Sequence, residues 1–219
     1  HELMGTAAYA GGYLDPRAAA IHPLSYSRGF AAALQRRDVR IFRSSPVTSI
    51  DTSDGDRLAL RTPGGTVRAR RAIVCTNAYS ELFDLGNDLG KRMLSISAAV
   101  VATEPLPPQA TRPILPLGHI VTDTRQLVNY FRLIPGNRLL FGGRGSLFGR
   151  EEPRYYEELA NALRRVYPHL VDAGISFRWC GRVAITLDHF PHVGRIGDRL
   201  FYAVGCGGRC VGAGGRVDH

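Results

Sequence analysis

LFYAVGCGGRCVGAGGRVDH, residues 200–219, decides how this chain is read. Five apolar residues, Leu200 to Val204, run directly into a loop dense in glycine. A strand followed by such a loop usually opens a dinucleotide-binding unit, where bare backbone closes on a pyrophosphate at the start of a helix. Here no helical pattern and no second strand follow it. The spacing also differs. Counting from Gly205 and Gly207, the sixth position of a GxGxxG motif is Cys210, and no GxGxxG occurs elsewhere in the 219 residues. The loop is therefore not the first fingerprint of such a fold.

A second apolar strand ends in the same manner. AIVC (72–75) is bounded abruptly by the polar TNAYS (76–80). A buried strand opening into Thr-Asn-small-aromatic is a typical ligand position in an α/β sheet. Upstream, Leu58 and Leu60 alternate with polar neighbours, PGG (63–65) turns the chain, and Val67 and Ala69 alternate on the return, which predicts a hairpin. VRIF (39–42) and PVTSID (46–51) read as short strands. Before them, Pro23 suits a first helical turn, and Leu24, Ala31 and Leu34 share one face of LSYSRGFAAALQRR, which predicts a helix. Gly29 costs that helix stability relative to alanine, so it is expected to permit close packing against a sheet.

Downstream of the connector DLGNDLGKR (84–92), MLSISAAVVATEPL (93–106) predicts a long buried strand. IVTDTRQLVNYFRLIPGNRLLFGGRGS (120–146) predicts strands joined by turns. EEPRYYEELANALRRVYPHL (151–170) is the strongest helix, with Leu159, Leu163, Val166 and Leu170 on one face and acidic residues at its front. ISFRWCGRVAITLD (175–188) returns as strand, and HFPHVGRIG (189–197) reads as turn and loop. The order is α/β first, then a mostly antiparallel sheet with one helix, then a return strand.

Composition narrows the function classes. With 44% hydrophobic and 21% charged residues the chain can bury a proper core. No apolar stretch approaches the roughly 18–20 residues that span a bilayer, and HELMGTAAYAGG lacks the features of a secretion signal, so the expected location is cytoplasmic with no membrane partner. The formal charge is +9, yet Lys91 is the only lysine among 28 basic residues, and the arginines are scattered without a recognition motif. No nucleic-acid partner is expected. The four cysteines form no CxxC, and the histidines His22, His119, His169, His189 and His192 show no paired ligand spacing, so no metal site is expected. No Ser/His/Asp or Cys/His arrangement for nucleophilic catalysis stands out.

Several stretches, taken in order, resemble the FAD-dependent amine and amino-acid oxidoreductases of the D-amino-acid oxidase superfamily, and within it the γ-glutamylputrescine oxidase-like proteins. They are GGYLDPRAAAIHPLSYSRGFAAAL (11–34), SPVTSI (45–50), RRAIVCTNAYS (70–80), ATEPL (102–106), DTRQLVNYFRL (123–133), LLFGGRGS (139–146) and GRVAITLDHFPHVGRIG (181–197). The resemblance implies an α/β (α+β) fold: a partial FAD-binding domain of GR2 type plus an antiparallel-sheet substrate domain. The expected division is 1–83 for the partial FAD-binding domain, 84–197 for the substrate domain, and 198–219 for the return strand and flavin-contact loop. A full member of the family is roughly twice as long and begins with a strand–GxGxxG–helix unit. The terminal loop resembles the family's second flavin-contacting loop, a Gly–aromatic–Ser–Gly–His–Gly run. It departs from that run at Cys206, Gly207, Arg209 and Cys210.

The resemblance also implies site residues. Val47 would lie near the adenine, and Thr76, Asn77 and Ala78 would form the turn passing the pyrophosphate. Gly181 and Arg182 would pass close to the flavin, the glycine permitting approach and the cation stabilising reduced-flavin charge. Gly205, Gly207 and Gly208 belong to the flavin-contact loop. Tyr130, Arg132 and Arg144 would lie on the substrate side, where an arginine suits a carboxylate. Thr186, Asp188 and Pro191 match a structural turn. Cys180 is one position from the cysteine that carries flavin covalently in the sarcosine-oxidase branch; a one-residue shift in a strand points to the other face, and it is expected to be structural. The implied reaction is oxidation of the C–N bond of a small amine or amino acid with FAD, aided by a separately encoded N-terminal FAD-binding piece. The residues leave open an alternative, a catalytically inactive remnant or a ligand- or protein-binding module.

Overall fold

The computed structural model describes residues 2–82, 91, 93–125, 128–146 and 151–207. In chain order the elements are α1 (Pro23–Gln35), β1 (Ser49–Asp51), β2 (Leu58–Thr62), β3 (Gly65–Ala69), β4 (Ala72–Val74), β5 (Leu94–Thr103), a short α2 (Pro108–Thr111), β6 (Val121–Thr122), β7 (Tyr130–Ile134), β8 (Arg138–Arg144), α3 (Pro153–Val166), β9 (Ile175–Ile185), β10 (His192–Ile196) and β11 (Leu200–Val204). Short 3-10 helices cover Asn77–Leu82 and Pro168–Leu170.

Two compact units result. One takes the chain up to Ile21 together with Ser97–Gly181; the other takes His22–Ile96 together with Arg182 onward. The chain changes unit inside the long strands β5 and β9, whereas the composition of the sequence suggested changes at the polar segments near 84 and 197. A continuous apolar run carries no mark of the point where its neighbours change.

The first unit holds the five-stranded sheet β6-β7-β8-β5-β9. Alternation along β7 and β8 sends Phe131 and Phe141 to one face, where they pair directly across the strands with rings 5.3 Å apart. Leu159, Leu163 and Val166 of α3 and Tyr167 behind it complete this core, each at most 5% exposed. The N-terminal segment belongs here too. Tyr9 stacks on Phe131, and the Tyr167 hydroxyl donates to the Met4 carbonyl at 2.8 Å. Gly5 has φ +66°, and a Cβ there would meet the Pro113 carbonyl oxygen at 1.9 Å, so only glycine lets this segment lie so close.

The second unit holds the meander β1-β2-β3 and the sheet β10-β11-β4. The predicted hairpin forms in the expected register, with Leu58 opposite Ala69 and Leu60 opposite Val67. β4 runs parallel to β11, and β10 runs antiparallel to it. Val74, Leu200 and Val204 are the centre of a small core.

Three local expectations differ from what forms. Residues 39–42 are not a strand. His192–Ile196 is a strand rather than loop, because each of its five residues pairs with β11. Gly29 packs against nothing: among the described residues no atom lies within 4 Å of a Cβ placed there, and α1 has no buried residue. Gly29→Ala should therefore stabilise α1 by about 0.5–1 kcal/mol through helix propensity alone. Thermal unfolding of the variant checks this, and a loss of stability would restore the packing role.

Candidate functional site

The second unit places two of the expected segments side by side. β4 and β11 are parallel neighbours, so TNAYS and the glycine loop both leave from the carboxyl ends of their strands. This is where open α/β sheets bind ligands. Asn77 joins the two. Its backbone sits in the left-handed region (φ 47°), which asparagine tolerates better than most residues. Its Oδ1 accepts from the Gly205 amide at 2.9 Å and from the Cys206 amide at 3.3 Å. The flanking residues hold Asn77 in place. The hydroxyls of Thr76 and Ser80 are 2.8 Å apart, Ser80 Oγ also donates to the Asn77 carbonyl, and Ala78 is buried with its carbonyl accepting from Ser95.

The loop after β11 needs glycine at two described positions. Gly205 has φ +78°, and a Cβ would meet Thr186 Cγ2 at 2.4 Å. Gly207 has φ +55°, and its amide donates to the Ala184 carbonyl at 3.0 Å. A Cβ on Gly207 would meet nothing within 4 Å among the described residues. Gly208, expected in the same loop, lies outside the described residues.

Arg182 stands over the Tyr79 ring, 6.0 Å from its centroid, which sets it beside the Asn77 turn. Gly181 precedes it in β9, and among the described residues a Cβ there would meet nothing within 4 Å. Val47 is half-buried just before β1, outside the core cluster of this unit. Thr186, Asp188 and Pro191 shape the turn into β10. Thr186 donates to the Phe190 carbonyl, and Asp188 accepts from the Phe190 amide. His192 beside Asp188, at 3.0 Å, does most to hold that carboxyl at about 2. This pairing of His192 was not foreseen. It depends on the turn that brings residues 188 and 192 together.

The residues expected on the substrate side lie in the first unit. Tyr130 and Arg132 stand on the face of β7 opposite Phe131 and α3. The Tyr130 ring lies across Gly142 of β8, where a Cβ would meet it at 2.2 Å, and burial pushes its phenol up. The Arg132 guanidinium donates to the Ile21 carbonyl at 3.1 Å, so one of its donors holds the N-terminal segment. Arg144 ends β8 opposite Ala98; its side chain lies outside the described residues. Cys180 is half-buried beside Tyr156 and Glu151, and burial pushes its thiol up, away from the reactive thiolate.

The sequence profile of the FAD dependent oxidoreductase (DAO) family matches residues 1–215. The chain belongs to this family. It is 34% identical over 208 residues to the gamma-glutamylputrescine oxidoreductase of Escherichia coli, covering 93% of this chain and 47% of that protein. It is 31% identical to "Probable oxidoreductase OrdL" of Haemophilus influenzae, covering 98% of this chain and 50% of that one. Among solved structures, glycine oxidase from Geobacillus kaustophilus is similar with a TM-score of 0.67 at 21% identity, over 84% of this chain and 49% of that one. L-proline dehydrogenase from P. horikoshii gives a TM-score of 0.68 at 18% identity, over 86% and 51%. These structures share its fold. The chain spans about half the length of the relatives it matches.

Membership of an FAD-dependent family poses a test for the residues present. Two left-handed glycines, Gly205 and Gly207, in a loop braced by Asn77 at the carboxyl ends of β4 and β11, fit a surface that a flat or anionic group can approach closely. No described helix is long and apolar enough to cross a membrane.

Proposed function

We propose that this chain provides part of the FAD site and the substrate-side sheet of an oxidoreductase that oxidises the C–N bond of a small amine or amino acid. The observation that carries the proposal is the Asn77 bridge to the Gly205–Cys206 amides, which shapes a ligand-facing edge within a chain of this family. When bound, FAD would supply the two-electron, hydride-accepting oxidation that turns the C–N bond of the amine into an imine open to hydrolysis by water.

The chain's own residues have distinct parts in this reading. Thr76, Asn77, Ala78, Gly205, Gly207 and Gly208 present backbone to the cofactor in this reading, with Val47 towards its adenine end. Gly181 leaves room for the ring, and Arg182 places a positive charge beside it. Tyr130 forms an apolar wall, while Arg132 and Arg144 orient a substrate carboxylate. Of the expected substrate domain, residues 84–197, the part Ser97–Gly181 lies in the first unit and carries the substrate role in this proposal, whereas residues 182–197 belong to the second unit.

A GxGxxG-bearing polypeptide completes the site in this proposal. β4 is an edge strand in its sheet, and Ile73 on it is 69% exposed, which suits the addition of a strand. The test is direct. The chain is mixed with excess FAD, free flavin is removed, and the visible spectrum is recorded. The chain alone should retain little flavin. Adding the portion of the E. coli relative that precedes the matched region should raise retention, and a carboxylated amine should then bleach the flavin band. A folded chain that retains no flavin in either mixture would refute the reading.

A further inference from the structure

A cavity of about 350 Å³ lies between one flank of α3 and the edge strand β9, entirely within the first unit. The flank is set by helical spacing: residues 156, 157, 160, 161 and 164 fall one turn apart. Ala160 and Ile175 give it apolar walls, and Asn161, Arg164 and Arg178 give it donors. The cavity is on the helix side of the sheet, whereas Tyr130 and Arg132 stand on the opposite face.

The two arginines are not neutralised. Arg164 is held by neutral acceptors, the Asn161 Oδ1 at 3.3 Å and the Ala173 carbonyl at 3.5 Å. Arg178 makes no hydrogen bond or ion pair among the described residues. Other arginines here take a nearby carboxylate: Arg17 with Asp15, Arg125 with Asp123, Arg154 with Glu152. Glu157 lines the same cavity, yet it pairs with neither Arg164 nor Arg178. Two guanidinium groups and a side-chain amide lining one concavity match an oxyanion that accepts several N–H bonds at once.

We propose that this cleft binds the oxyanion group, carboxylate or phosphate, of a small organic molecule at a site separate from the amine-oxidising one. Its volume of about 350 Å³ is about twelve times the roughly 30 Å³ share of a water molecule, so the ligand extends beyond the anionic group along the Ala160–Ile175 wall. The inference does not depend on FAD binding.

The test uses the whole chain without flavin. Inorganic phosphate and succinate are titrated separately at constant ionic strength, and the arginine Nε–Hε resonances are followed by NMR. Arg164 and Arg178 should shift saturably with at least one probe. R178Q should weaken that binding at least tenfold. R165Q removes the same charge from the neighbouring position of α3, outside the lining, and should change it less than twofold. Saturation by phosphate alone identifies a phosphorylated ligand, and by succinate alone a carboxylate. The proposal fails if neither probe saturates, or if R165Q weakens binding as much as R178Q does.

Discussion

Phe131→Ala should destabilise the first unit by about 3–5 kcal/mol. Phe131 is 1% exposed and touches three other rings: Phe141 across the strands, Tyr167 edge-on at 5.8 Å, and Tyr9 from the N-terminal segment. Removing it opens a cavity that strands hydrogen-bonded on both sides cannot close. It also takes away the surface on which Tyr9 rests, so the segment up to Ile21 should loosen with it. Chemical denaturation measures the energy, and amide exchange at Met4–Tyr9 reports the loosening. A change under about 1 kcal/mol would mean that the rings do not form the shared core described.

Asn77→Ala should release the loop after β11. The substitution removes the acceptor for two amides, and it places alanine in a left-handed conformation that costs about 1 kcal/mol more for a residue with a plain Cβ. Together with the loss of the two hydrogen bonds, a destabilisation of about 2–4 kcal/mol is expected, concentrated on this edge. The Gly205 and Cys206 amides should exchange rapidly, while those of β7 and β8 keep their protection. Asn77→Asp keeps the acceptor and should recover most of the loss. In the completed enzyme proposed above, the alanine variant should also retain flavin less well. Unchanged exchange at Gly205 would show that the loop is held by other contacts.

Legibility from sequence followed the range of the interaction concerned. The α3 pattern and the β2–β3 hairpin come from short-range periodicity and turn chemistry, and both formed as expected. Gly29 was misread because propensity gives the cost of a helical glycine but not what stands opposite it. HVGRI was misread for the same reason. Its strand character comes from lying beside β11, and Gly194 within it weakens the local signal; a Cβ there would meet the Tyr202 hydroxyl at 2.4 Å. Val47 and Arg144 came from resemblance alone, and nothing local to their sequences marks a site.

By itself, the sequence determined the class of fold, the two polar strand ends at 76–80 and 205–208, and the family, since these rest on patterns spanning a few neighbouring residues and on their order along the chain. Only the tertiary structure decided that β4 and β11 lie parallel and adjacent, that Asn77 reaches across 128 positions to the Gly205 amide, and that the arginines of α3 and β9 face one cavity. Those arrangements depend on strand pairing and packing between distant segments. A side chain's hydrogen-bonding capacity is written in its residue type, but its partner is chosen by the fold.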